Sequence, residues 1–428
     1  MKTFGNYEVI QNSLHLHGHS MKELANEYGT PLYVYDENYI RENARRYRES
    51  FEQGKNIVTY AGKAFLTVEM CRLVKEEGLS LDVVSSGELY AAKRAGFPME
   101  KIYFHGNNKT REEIAMAVEL GVGRFIADNF RELRLIDEIA GEMGKTSNAI
   151  LRIAPGIEAH THEYIKTGMI DTKFGFSIVE KEYLKAAKAA EVLPNVELKG
   201  IHCHIGSQIF EVQPFYDAAL AMLGILKEIN EEIGRELEEL DLGGGFGCYY
   251  VEGDDPLEIE EYVDIILRGV AEGIEKLGMK EPRLIIEPGR SMVNNAGVNL
   301  YTVGAIKEIP GVRKYVSVDG GMTDNIRPAL YQAEYTAVIA DRVESDEKEL
   351  VTIAGKCCES GDVLINNIEM AKMEEDDILA LLYTGAYGYS MASNYNMLRR
   401  PAVIFVSDSG IKTVVKRQTY EDLLMGQE

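Results

Sequence analysis

Basic residues are scarce in this 428-residue chain: 46 Lys and Arg stand against 69 Asp and Glu, a formal net charge of -23. A surface of that sign repels phosphate backbones, which argues against nucleic acid as a partner and leaves an ordinary solvated acidic face. Cysteine is also sparse. Cys71, Cys203, Cys248, Cys357 and Cys358 are odd in number and form no C-x-x-C pair, so neither a zinc knuckle nor a redox motif is expected, and the pattern suits a reducing cytoplasm. No apolar run reaches the roughly 18 to 20 residues that cross a bilayer, and the polar N-terminus has no signal-peptide core. A soluble, cytoplasmic protein without membrane contact follows as the expectation.

What the chain has in abundance is alternation. Eight short apolar runs begin at Ile57, Leu81, Ile102, Arg124, Ala149, Lys199, Leu240 and Leu284, separated by stretches of helical periodicity. Runs that are apolar throughout fit parallel strands covered on both faces by crossover helices. Eight strand-helix units predict a closed (β/α)8 TIM barrel; an open doubly wound sheet needs fewer, and no G-x-G-x-x-G follows the first run. After Arg290 the texture changes to strands and turns near Tyr301–Ile306, Tyr315–Asp319, Leu350–Ala354, Ile378–Tyr383, Ala402–Val406 and Ile411–Val415. That reads as a mainly antiparallel β domain. Pro31–Tyr35 also reads as a strand, so the expected division is residues 1–36 with the β domain, 37–290 as the barrel and 291–428 as the rest of the β domain.

Reacting groups in such barrels lie at the C-terminal ends of the strands, and several chemistry-bearing residues fall there. Lys63 follows the first run, where an apolar setting would desolvate its ammonium and free an amine; alone, a lysine there more often reaches solvent. His105 ends the third. His202, His204 and Ser207 end or follow the sixth. Gly243, Gly244 and Gly245 follow the seventh, where backbone amides can approach a phosphate, or simply turn. Glu287 closes the eighth, ahead of Pro288, Gly289 and Arg290; its carboxylate suits a protonated ring nitrogen or an ion pair with Arg290. His202 and His204 share a face in a strand, but no third ligand is apparent, so no metal is expected. His15, His17 and His19 read as an exposed polar segment at a mobile terminus.

Together with Lys356-Cys357-Cys358-Glu359-Ser360-Gly361-Asp362, these motifs resemble the diaminopimelate decarboxylases, fold-type III pyridoxal-phosphate enzymes of the alanine-racemase-like class. The resemblance runs from Tyr33 to about Pro401. It implies pyridoxal 5'-phosphate carried on Lys63, with His204 stacked on the ring. It assigns Ser207, Gly245, Gly289 and Tyr387 to the phosphate, Glu287 to the ring nitrogen, and Pro288 and Arg290 to the same motif. Arg290, Arg327, Tyr331, Glu359 and Tyr387 match substrate-binding positions. Cys358 matches a catalytic cysteine that completes the neighbouring subunit's site in a homodimer.

The implied reaction is decarboxylation of meso-2,6-diaminopimelate to L-lysine and CO2, the last step of lysine biosynthesis. The alternatives are a sibling decarboxylase acting on arginine, ornithine or a carboxylated polyamine, and, from another class, a non-catalytic pyridoxal-phosphate carrier. A racemase is disfavoured because that relative pairs the ring nitrogen with arginine. His160–Gly168 also resembles a family segment near the active-site mouth. Two departures stand out: Met169-Ile170 where relatives carry polar residues, and Phe65 where many have asparagine.

Overall fold

Short β-branched runs bounded by capping residues set the local structure of the barrel. Thr67, Ser85, Thr110 and Asn129 each end a strand-to-helix loop and accept a backbone N–H from the first turn of the next helix. Thr110 and Glu113 form a reciprocal capping box. Such caps satisfy amides that the helix itself leaves without acceptors.

The computed structural model describes residues 1–52, 54–157 and 171–427. They divide into two compact units. One, residues 43–247 and 256–289, is a closed ring of eight parallel strands: Ile57–Ala61, Ser80–Val83, Ile102–Phe104, Arg124–Ala127, Ser147–Ala154, Val196–His202, Glu239–Asp241 and Arg283–Ile286. The eighth pairs back to the first through Ile285–Ile57 and Ile286–Val58, which closes the barrel. Tyr103, Ile126, Ile150 and Ile285 form a buried cluster with Ile57 packed against it. Side chains from the third, fourth, fifth, eighth and first strands meet in this way only through the interior of a ring.

The other unit contains residues 1–42, 248–255 and 290–428. Its sheet is mainly antiparallel, built on the 13-residue strand Gly297–Ile309, which pairs with Leu32–Asp36, Arg313–Val318 and Ile378–Leu382. Two pairings are parallel, Leu32–Asp36 with Ala402–Ser407 and Arg313–Val318 with Lys348–Ala354. The N-terminal strand Leu32–Asp36 lies in this sheet, between Gly297–Ile309 and Ala402–Ser407.

Three features depart from the sequence reading. Residues 248–255, placed with the barrel, group with the β unit, because Cys248 and Tyr250 are buried in its apolar cluster beside Leu32, Leu300 and Tyr335. Strands Ala337–Ile339 and Val363–Ala371 were not anticipated. The His15–His19 segment is no mobile tail. It forms a three-stranded sheet with Tyr7–Ile10, and the His17 ring bonds Asp36 at 3.0 Å and Asp408 at 2.8 Å.

Candidate active site

The first barrel strand ends at Ala61, and the short 3-10 turn Gly62–Ala64 carries Lys63 past the last buried strand residue. Its side chain is exposed rather than desolvated, which corrects the expectation of a buried amine: the turn lifts it off the apolar strand. Among the described residues Lys63 has no hydrogen bond or ion pair. The contrast with Lys109, after the third strand, is informative. Lys109 Nζ donates to Gly106 O, Ile126 O and Glu132 Oε2, at 2.6, 2.7 and 3.1 Å, so all three of its protons are engaged. Lys63 is the lysine of the two whose amine is available for chemistry.

Facing the charge of Lys63 is the loop after the sixth strand. His204 Nδ1 accepts from Gly244 N at 3.3 Å, which leaves the ring proton on Nε2. Burial, then the positive charges of Lys63 and Arg152, hold His204 well below the ordinary imidazole value, so it is neutral at pH 7. The glycine loop needs its glycines. A Cβ on Gly244 would lie 2.1 Å from Glu287 O, and Gly245 adopts φ +109 with Gly206 O 2.5 Å from where its Cβ would be. The amides of Gly245 and Gly289 meet no acceptor among the described residues.

Glu287, just past the eighth strand, is held between two imidazoles. His202 Nε2 lies 3.1 Å from Oε2 and His105 Nε2 lies 2.7 Å from Oε1. Burial would push this carboxyl up, but His105 and His202 outweigh it and hold it well below the usual carboxylate range. Burial takes His202 down to about 4, so it donates as a neutral ring. Asp241 goes the other way: burial and then the Glu287 charge raise it well above the normal carboxylate value, so the two neighbouring acids are shifted in opposite directions. The contact between His105 Nε2 and Glu287 Oε1 is close but misaligned, so Oε1 lacks a hydrogen bond.

The donor atoms of His105, His202 and Glu287 lie within 4.8 Å of one another. The groups that converge on His202 are therefore His105 and Glu287, which the chain brings together from the ends of three strands. His204 instead turns to the glycine loop. Asp82, buried on the second strand and raised by burial, belongs to the same group, 3.9 Å from His105. Asp82 and Asp241 escaped the sequence reading because an Asp inside an apolar run does not reveal which face it takes; their only signal was being charged where every neighbour is apolar.

In the β unit a second cluster forms around Arg290 and Arg327, both buried. Arg290 Nη1 donates to the Tyr250 hydroxyl at 2.6 Å, and Arg327 Nη1 donates to the same oxygen at 2.9 Å and to Tyr335 at 2.5 Å. Arg290 also lies over the Tyr387 ring, 4.7 Å from its centroid, with Tyr387 at φ +61. Tyr331 closes the five-residue helix Arg327–Tyr331, one turn from Arg327 on the same face. Tyr250 and Tyr335 were missed: Tyr250 stands 77 positions from Arg327, and Tyr335, though only 8 positions away, lies past a turn with no periodic signal.

Cys358 and Glu359 lie on an exposed turn outside both clusters; Cys358 N donates to Asn396 Oδ1 at 2.7 Å. Ser207 is half-buried just beyond His204, and Pro288 and Gly289 are buried between Glu287 and Arg290 in the chain. His160–Gly168 and Met169-Ile170 lie outside the described residues.

A closed parallel barrel with a lysine, an anion-ready glycine loop and an ionised carboxylate on one rim defines a class, the pyridoxal-dependent decarboxylases. The pyridoxal-binding domain of that family, described as "Pyridoxal-dependent decarboxylase, pyridoxal binding domain", matches residues 37–294. The chain is 52% identical to a diaminopimelate decarboxylase of Bacillus subtilis (strain 168), over 94% of this chain and 92% of that one. It is 48% identical to the diaminopimelate decarboxylase of Staphylococcus aureus (strain COL), over 96% and 97%. A crystal structure of the M. jannaschii diaminopimelate decarboxylase in co-complex with L-lysine superposes with a TM-score of 0.92 at 39% identity, covering 99% of this chain and 98% of that one. The chain belongs to the diaminopimelate decarboxylase family.

Pyridoxal phosphate is thus the implied cofactor, and the residues fit it. Glu287 Oε1 is an ionised acceptor lacking a hydrogen bond, suited to a pyridinium N–H. The Gly245 and Gly289 amides suit a phosphate, and Lys63 supplies a primary amine.

Proposed function

We propose that this chain removes carbon dioxide from meso-diaminopimelate and releases L-lysine, the closing step of lysine biosynthesis, with pyridoxal phosphate held on Lys63. The observation that carries the substrate assignment is the buried Arg327 guanidinium, which among the described residues meets only the phenols of Tyr250 and Tyr335. A buried cation facing neutral oxygens costs several kcal/mol unless an anion completes it. Diaminopimelate brings a carboxylate at the end remote from the reacting carbon; arginine and ornithine do not.

Lys63 presents the amine that anchors the cofactor's aldehyde carbon. When bound, pyridoxal phosphate supplies the electron sink for the pair left behind as carbon dioxide departs. Glu287, ionised between its imidazoles, would hold a proton on the ring nitrogen and so favour a cationic sink. His204, neutral, would be the imidazole beside the cofactor ring. Ser207, Gly245, Gly289 and Tyr387 would hold its phosphate, with Pro288 and Arg290 in the same motif. Arg290, Arg327 and Tyr331 receive the distal carboxylate, for which the guanidinium fork is matched. Glu359 and Tyr387 complete the substrate's surroundings, Glu359 opposing its distal ammonium.

The carbon that loses its carboxylate must gain a proton. Cys358 from a second copy of the chain is the proposed donor, with Lys63 the competing one. The exposed turn that bears Cys358 and Glu359 suits that role, and the working unit is a homodimer with shared sites. We place the enzyme in the cytoplasm, where its five free cysteines stay reduced. No helix of the described residues is long and apolar enough to cross a membrane.

The experiment is side-by-side carbon dioxide release from meso-diaminopimelate, arginine, ornithine and carboxylated polyamines. Release from diaminopimelate with L-lysine as product supports the assignment. Release from another substrate alone favours a sibling decarboxylase, and cofactor binding with no release favours a carrier.

A further inference from the structure

Tyr250 lies in the segment Cys248–Asp255, which groups with the β unit although it directly follows the glycine loop of the barrel in the chain. Its hydroxyl oxygen accepts from Arg290 Nη1 at 2.6 Å and from Arg327 Nη1 at 2.9 Å. Two buried guanidiniums repel each other. One neutral oxygen accepting from both offsets that repulsion and fixes the distance between their donors. The Tyr250 ring adds to this, with the Arg327 and Arg290 guanidinium carbons 5.0 and 5.9 Å from its centroid. The flanking aromatics each meet one arginine: Tyr335 accepts from Arg327, and Tyr387 offers Arg290 its ring face.

We propose that Tyr250 is a positioning residue that spaces the Arg290 and Arg327 guanidiniums to read the distal carboxylate, and thereby sets the preference for a substrate carrying one. This rests on the assignment of the two arginines to that carboxylate. Phenylalanine at 250 would keep the ring and its stacking but remove the shared acceptor. The two guanidiniums would then separate, and the carboxylate would meet them one at a time rather than as a pair. The reacting end of the substrate would be untouched.

The test uses the holoenzyme, with Tyr250→Phe, Arg327→Met and the double variant. It measures kcat and KM for meso-diaminopimelate and inhibition constants for two probes. L-Lysine keeps the distal carboxylate, whereas 1,5-diaminopentane has none. Tyr250→Phe is expected to raise KM and weaken L-lysine about tenfold, with kcat within about twofold and 1,5-diaminopentane unchanged. In the Arg327→Met background the Tyr250→Phe effect should vanish, an outcome that general loosening of the fold would not produce.

Wild-type affinities in Tyr250→Phe beside a strong loss in Arg327→Met would overturn the proposal while sparing the carboxylate assignment. Wild-type behaviour in both would overturn the assignment and the proposal with it. If Tyr250→Phe does not fold, Tyr335→Phe carries the question. It deletes the other phenol on Arg327 and leaves the bridge, so L-lysine should weaken no more than about threefold; a loss as large as that of Arg327→Met would contradict the bridging role of Tyr250.

Discussion

His202 Nε2 donates to Glu287 Oε2 across 3.1 Å, joining the end of the sixth barrel strand to the end of the eighth. With His105 beside the other oxygen, the contact keeps a buried carboxylate ionised while neighbouring Asp241 is shifted upward. The site therefore pushes two adjacent acids in opposite directions, and the one held ionised, Glu287, is the one suited to stabilise a cationic ring.

Glu287→Gln keeps shape and removes that charge. Its kcat is expected to fall on the order of 100-fold, with KM changed far less and the absorbance of the bound cofactor shifted. Unchanged kcat would mean that the ring nitrogen does not depend on this carboxylate.

Gly245→Ala tests the phosphate loop. The residue sits at φ +109 and its Cβ would press within 2.5 Å of Gly206 O, so alanine must move the loop. Cofactor affinity, read by titrating the apoprotein, should weaken roughly tenfold or more.

The shared-site reading makes a sharp prediction about mixtures. Lys63→Ala and Cys358→Ser should each be inactive or nearly so. After dissociation and reassociation, half the dimers would be mixed, and one site in each would be intact, restoring about a quarter of wild-type activity. No recovery would argue that Cys358 acts within its own chain or not at all.

Asp324 gives a pH dependence that does not involve the reaction. Burial pushes its carboxyl up to about 7, against the Gly321 N–H and with help from Asp319 and Asp362. The unfolded chain loses this proton near 3.9. Between about 4 and 7 the native state therefore holds the extra proton, and this group's contribution to stability falls as pH rises, by at most about 1.4 kcal/mol per unit. Asp324→Asn removes that slope. Its Tm relative to wild type should be higher at pH 8 than at pH 5, and a difference constant with pH would refute the assignment.

The barrel was legible because strands buried on both faces must be apolar throughout, and the residues just past such runs, Lys63, His204, Gly245 and Glu287, could be read directly. The partners of Glu287 were only half visible: His105 and His202 stood at strand ends, but their convergence depends on barrel closure. Asp82 and Asp241 were hidden by the apolar runs around them. Tyr250 was invisible because its role arises from a chain excursion that brings distant residues together, and Tyr335, eight positions past Arg327, carries no pattern that marks it as a partner. His17 misled for the opposite reason: a polar segment near a terminus looked unanchored, yet Asp36 and Asp408 hold it.

Everything in the proposed chemistry depends on where the cofactor is attached. Borohydride reduction of the holoenzyme followed by peptide mass spectrometry locates that bond. The pyridoxyl group should appear on the peptide containing Lys63, and Lys63→Ala should abolish both the label and turnover. A label on Lys109 or elsewhere, or turnover surviving in Lys63→Ala, would contradict the account.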